Sequence, residues 1–285
     1  MSPHREFGRY CPIEMSEPAL EVEHVRNLTF YSEALHGRGD VSLYVPPGIE
    51  HLRAVPIVLL LHGVYGSHWS WFGNGGAHRT ADKMAKEGAI RPMLLLCPSD
   101  GLGGDGSGYV SSGAHDVETW ICEDVPGCVR TLYPGATEGS PLFVAGLSMG
   151  GFGALRLGAK RPALFTGIAA HSPITGIAQL NNSLREPLSP AETDEELEIL
   201  HWMRRHRESL PPIRIDCGDS DHLFAADCAL HEAMLAAGIP HEFVIYKGGH
   251  TWAYWREHIA DTLAFFDSLL PESLILSGGG APVTE

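Results

Sequence analysis

The sequence predicts an α/β fold: an eight-stranded, mostly parallel sheet with helices on both faces and a small cap insertion. Three observations predict it. From residue 56 onward the candidate strands are solid apolar runs such as "PIVLLLH" and "LFVAG", and strands without polar alternation are buried on both faces. The intervals between these runs are long enough to hold the crossover helices that parallel strands require. Finally, 285 residues with 44% hydrophobic content suffice for one large core, the usual case for a single α/β domain of this length.

Residues 1–26 read as a polar lead-in, 27–270 as the domain, and 271–285, ending in "SGGGAPVTE", as a tail that frays. "NLTFYSEAL" (27–35) and "VSLYV" (41–45) flank "HGRGD" and read as an antiparallel hairpin at one edge. Further strands follow at 56–62, 93–97, 142–146, 166–171, 213–217 and 242–246. Helical patterns fit 77–88, 117–132, 150–160, 225–237 and 252–270 between and after them. The interval 176–212 exceeds what a crossover needs and reads as the cap. Within it "SPAE", from Ser189, has the pattern of a capping box with proline at the first helical position, and "DEELEILHWMRRHRESL" continues as an amphipathic helix. Leu184, Leu188, Trp202 and Met203 face either substrate or the domain beneath.

A formal charge of −15 and a pI near 5.4 provide no basic surface, which argues against nucleic-acid and anionic-membrane partners. No run approaches the roughly 18 apolar residues of a membrane span, and the start lacks the apolar stretch of a signal peptide. A cytoplasmic location is the expectation. The six cysteines have no CxxC spacing and suit reduced thiols better than a zinc site or a disulfide framework.

The chemistry enters at "VAGLSMGGFGAL". A serine between a buried strand and a helix must sit on a turn so sharp that side chains two residues either side collide, and glycine at both positions removes the clash. Gly146 and Gly150 occupy those positions around Ser148. With 33 glycines in the chain the five-residue pattern can arise by chance, so the strand–turn–helix context carries the assignment. A serine hydroxyl needs a base and an orienting carboxylate, in the order Ser, acid, His along such a fold. "GDSDHLF" after one late strand and "KGGHTWAYW" after the last supply them. Asp216 lies inside the strand, Asp219 opens the turn, and Asp221 reaches further over the sheet edge; Asp221 is favoured with Asp219 as the alternative, and His250 is the base. Two backbone N–H donors must hold the developing oxyanion. Met149, after the nucleophile, is one; Val64 in "LLLHGVYGSHWSW" is the choice for the other, with Gly63 and Tyr65 as neighbours. His62 braces this loop. Gly63, Tyr65, His68, Trp69 and Trp71, with Trp252 beyond His250, are candidates either to line the substrate pocket or to cover the edge of the core.

"GLGGDG" (101–106) fits the dinucleotide pattern but is followed by "SGYVSSGAHD" instead of a helix that could receive a pyrophosphate. Asp100 and Asp105 lack the alternating spacing of a calcium loop. No cofactor and no metal are expected.

Together "LLLHGVYGSHWSW", "ETWICEDVPGCV", "VAGLSMGGFGALRLGAKRPALF", "CGDSDHLF" and "GGHTWAYWREHI" resemble the esterase D and S-formylglutathione hydrolase group of α/β-hydrolases, within a broad esterase family that includes tributyrin, feruloyl and acetyl-xylan esterases and the mycolyltransferases. The resemblance runs from about Leu28 to Leu270. It implies the α/β-hydrolase fold and a cofactor-free serine carboxylesterase acting on small, short-chain acyl esters, with Ser148, Asp221 and His250 as the triad and a homodimer or homotetramer as the assembly. S-formylglutathione thioesterase and acyltransferase activities are the alternatives, although "SDGLGGDGSGYVSSGAH" offers no clear feature for recognising glutathione.

Overall fold

The computed structural model describes residues 8–10, 12–101 and 104–272. Cys11, two glycine-loop positions at 102 and 103, most of the expected tail and the first seven residues of the lead-in therefore lie outside the described residues. One sheet organises the chain. Its nine strands are β1 (Ile13–Met15), β2 (Val25–Ser32), β3 (Gly37–Tyr44), β4 (Ile57–Leu61), β5 (Leu94–Pro98), β6 (Leu142–Leu147), β7 (Gly167–His171), β8 (Ile213–Gly218) and β9 (Glu242–Tyr246). They lie in the order β1-β2-β3-β5-β4-β6-β7-β8-β9. β1, β2, β3 and β5 pair antiparallel, and from β5 to β9 every pairing is parallel.

The eight expected strands are all present, and β1 is a ninth. Three residues, "IEM", are too short for alternation to show; they are held by register with Leu28, Thr29 and Phe30 of β2. The hairpin turn also differs from expectation. Gly37 and Gly39 belong to β3, and a Cβ at Gly39 would stand 2.5 Å from the Trp120 ring. Glycine is there to let an indole pack on the strand, while the chain reverses at 33–36.

The solid apolar strands split their residues between two cores, as alternation requires. In β4, Leu59 and Leu61 join Trp120, Phe152, Leu155 and Met203 on one face; Val58 and Leu60 join Trp71, Ala81, Ile259 and Phe266 on the other. The main helices are α1 (Ala77–Lys86), α2 (Val125–Leu132), α3 (Met149–Lys160), α4 (Phe224–Ala236) and α5 (Trp252–Ser268). α1 and α5 cover the second face and α2, α3 and α4 the first. A wider, π-type turn at Trp120–Asp124 precedes α2, within the stretch read as one helix from 117 to 132. Among the described residues no helix is long and apolar enough to cross a membrane.

Between β7 and β8 the chain forms three short α-helices, Ile177–Asn181, Asp194–Leu197 and Ile199–Arg205, and a 3-10 turn at Arg207–Ser209. The capping box is at Thr193 and Glu196, not at Ser189. Pro190 instead bridges to Ser112, and Glu192 is drawn to the buried Arg156 of α3, which also pairs with Glu118. Trp202 and Met203 are buried in the first core, so they pack and do not face substrate. Leu188 lines a cavity of about 420 Å³ between this segment and the loop after β5.

Candidate active site

Ser148 sits between β6 and α3 with φ 54° and ψ −119°, a strained conformation of the kind that persists only where surroundings enforce it. The enforcement is visible. A Cβ at Gly146 would stand 2.1 Å from the Gly150 carbonyl oxygen, and one at Gly150 would stand 2.1 Å from that of Leu61. The Ser148 N–H donates to the His171 carbonyl at 3.0 Å, and its own carbonyl accepts from Phe152 and Ile174. The hydroxyl is thereby fixed at the carboxyl end of the sheet.

His250 lies in the loop between β9 and α5. Its Nε2 is 3.0 Å from Ser148 Oγ, and its Nδ1 is 2.9 Å and 3.1 Å from the two Asp221 oxygens. Facing a carboxylate, Nδ1 carries the proton and Nε2 accepts from the serine. A close approach sets this geometry: a Cβ at Gly218 would stand 2.3 Å from the Gly248 carbonyl oxygen, and Ser220 N–H donates to that carbonyl at 2.8 Å. Burial by itself would raise the Asp221 carboxyl, but hydrogen bonds from His250 and from the Leu223 N–H outweigh it and hold the group below its ordinary value. Asp219, the alternative, pairs with Lys247. Asp216 is buried in β8 and bonded to His171, Arg214 and Tyr254.

The loop after β4 runs against the elbow, where a Cβ at Gly63 would stand 3.3 Å from Ser148 Cβ. The Tyr65 N–H donates to Asp105 O at 2.7 Å, which removes it as an oxyanion donor; Val64 and its neighbour Gly63 remain candidates. The side chains of Val64 and Met149 both meet Gly106: a Cβ there would stand 2.4 Å from Met149 Sδ and 3.5 Å from Val64. His62 Nδ1 lies 2.9 Å from the Gly63 carbonyl, and its own carbonyl accepts from the buried Tyr109 hydroxyl at 3.0 Å. The Asp100 and Asp105 carboxylates accept from the Ser107 and Arg185 N–H groups.

The pocket candidates separate by burial. Tyr65 is 66% and Trp69 49% exposed, and the Tyr65 hydroxyl donates to Ser183 O at 2.6 Å. Trp252 is half-buried against Trp71 and Trp255. His68 is tied to the Ser42 hydroxyl at 2.9 Å. Trp71 corrects the expectation: it is fully buried, with its indole N–H donating to Leu61 O at 2.9 Å, so it braces the end of β4 and cannot touch substrate. Sequence reasoning missed three neighbours. Trp255 stands edge-on to His250 at 4.8 Å, His222 at 4.5 Å, and His171 ends β7 beside the elbow. Only His222, next to Asp221 in sequence, left a readable signal. Burial pushes the thiols of Cys97 and Cys122 up to about 12, which keeps them neutral and unreactive.

The model of the Esterase family matches residues 32–266. An acetyl esterase from Caldicellulosiruptor saccharolyticus is 25% identical over 273 residues, 86% of this chain and 98% of that protein. The chain spans 55% and 53% of the length of two further relatives. Among solved structures, a ferulic acid esterase superposes with a TM-score of 0.73 at 24% identity, covering 87% of this chain and 98% of the other. An S-formylglutathione hydrolase from Agrobacterium tumefaciens gives a TM-score of 0.73 at 18% identity, over 88% and 98%. With the family match spanning most of the domain and its neighbours sharing the fold, the chain belongs to the Esterase family and is a serine hydrolase of the α/β-hydrolase fold.

Proposed function

We propose that the protein is a carboxylesterase for small esters of short acyl chains, working through Ser148, His250 and Asp221. The observation that carries this reading is the chain of contacts from Ser148 Oγ through both imidazole nitrogens to Asp221, at 3.0 Å and 2.9 Å. His250 Nε2 takes the hydroxyl proton as Oγ attacks the ester carbonyl. The N–H groups of Val64 and Met149 receive the negative charge on the carbonyl oxygen. Collapse of the tetrahedral species passes the proton from Nε2 to the leaving alcohol and leaves an acyl-serine. Water then attacks with His250 again as base, and Ser148 is regenerated. Asp221 keeps the proton on Nδ1 throughout and stabilises the imidazolium that forms in each step. The acyl groups expected are short, of about two to four carbons, and a relative named as an acetyl esterase supports the short end of that range.

Hydrolysis of p-nitrophenyl acetate by Ser148→Ala tests the reading; turnover at the parent rate refutes it. A panel of p-nitrophenyl esters of increasing length, run beside S-formylglutathione and methyl ferulate, fixes the acyl and leaving groups. A clear optimum at long chains refutes the short-chain assignment. Light scattering tests the homodimer or homotetramer that belongs to the same proposal.

A further inference from the structure

His222 follows the triad carboxylate at the end of β8, and the hydrolytic cycle has no use for it. Its side chain is 68% exposed, and its Nδ1 lies 3.5 Å from Asp221 Oδ1. The same carboxylate is 2.9 Å from His250 Nδ1, and the two imidazole rings stand 4.5 Å apart at 71°. One ligand atom from each of Asp221, His222 and His250 lies within 4.8 Å of the other two.

These separations are those of a metal site short of one adjustment. Ligands about 2.0–2.1 Å from a tetrahedral zinc ion lie roughly 3.3 Å from each other. The two gaps to Asp221 Oδ1, 3.1 Å from His250 Nδ1 and 3.5 Å from His222 Nδ1, already bracket that value. Only the gap between the imidazoles has to close, and rotation of the exposed His222 side chain closes it while displacing little but water. Two imidazoles and a carboxylate suit zinc, copper and nickel and hold magnesium or calcium poorly. The net charge of −15 favours the approach of a cation.

We propose that Asp221, His222 and His250 form an inhibitory site for a divalent transition-metal ion, with zinc as the type case, that turns the enzyme off by locking His250 in the wrong tautomer. The ion bonds to an Asp221 oxygen, a His222 nitrogen and His250 Nδ1, and water completes the shell. The proton that occupied His250 Nδ1 moves, by exchange with solvent, to Nε2. The imidazole stays neutral and no net proton is released. Nε2–H now donates to Ser148 Oγ and cannot accept the hydroxyl proton, so attack stops. The loss of activity rests on the triad reading above; the binding of the ion does not, because Ser148 is no ligand.

The test uses the whole chain in chelator-free buffer with zinc chloride, following p-nitrophenyl acetate hydrolysis and, separately, zinc uptake in competition with a chromophoric chelator. The parent should bind zinc and lose activity, and EDTA should restore it. His222→Ala should keep its basal turnover within about twofold, as surface changes usually do, and should need at least about tenfold more zinc for half-inhibition, as lost ligand-sphere contacts require. Magnesium chloride should not inhibit. His231→Ala removes a second close histidine pair among the described residues, in which His231 Nδ1 lies 2.8 Å from His241 Nε2, and should respond to zinc as the parent does. Ser148→Ala should take up zinc with parental affinity, a result that upholds the site whatever group proves to carry the hydrolysis. Equal zinc sensitivity in His222→Ala and the parent, relief of inhibition by His231→Ala, or a parent that neither binds nor is inhibited would each overturn the proposal.

Discussion

Asp227, in the first turn of α4, is 1% exposed, and neither of its carboxylate oxygens meets an N–H or O–H donor among the described residues. Burial, reinforced by the charges of Asp221 and Asp216 and only partly offset by the Cys217 thiol, pushes its carboxyl up to about 8. The sign of the stability effect follows. Below about pH 4 the group is protonated in both folded and unfolded chains and contributes no difference. Between about pH 4 and 8 the unfolded chain releases this proton while the folded one keeps it, so stability falls by about 1.4 kcal/mol for each pH unit. Above about 8 both forms are ionised and the loss stops growing. From pH 5 to pH 8, three units, the parent should lose on the order of 2–4 kcal/mol that Asp227→Asn, which cannot ionise, does not. The comparison between two pH values cancels whatever the amide does by itself. Urea unfolding followed by tryptophan fluorescence measures it, provided the denaturant slope is the same in both proteins. A gap between variant and parent that is equal at pH 5 and pH 8, within about 0.5 kcal/mol, would refute the reasoning.

Three further outcomes follow from the site. Gly150→Ala places a Cβ against the Leu61 carbonyl oxygen, at 2.1 Å, which neither backbone can yield, so soluble folded protein should largely disappear; normal yield with parental circular dichroism would contradict this. Asp221→Asn should lower kcat by about 10³–10⁴ through the wrong His250 tautomer, while Asp219→Asn, losing a contact to the exposed Lys247, should change it by no more than a few-fold; steady-state rates in the reverse order would move the acid to Asp219. Tyr65→Phe removes the 2.6 Å bond to Ser183, worth about 0.5–1.5 kcal/mol, and amide exchange should quicken in residues 177–184; unchanged exchange would show the bond to be incidental.

How much of this was legible depends on what each residue's constraint looks like along the chain. The elbow could be read because its steric demand falls on two glycines at fixed offsets from Ser148. The order of acid and base followed from strand ends, which solid apolar runs mark well. Trp71 stays open between pocket and core in the sequence because an indole in a loop gives no sign of which way it points; in the fold it joins residues of α1 and α5 in the second core. Gly39 reads as part of a turn because its partner, Trp120, lies far along the chain. The capping box was displaced from Ser189 to Thr193 because Glu192 is claimed by Arg156, a long-range ion pair that no local pattern reveals.

That ion pair has a mechanical consequence. Arg156 rises from the helix that begins at the nucleophile and is wholly enclosed, with Glu192 of the segment above it as one counter-ion and Glu118 as the other. Lifting the segment would withdraw Glu192 and leave the enclosed guanidinium with Glu118 alone, an unfavourable loss of one counter-ion from a buried cluster. The segment is therefore bolted to α3 at this point.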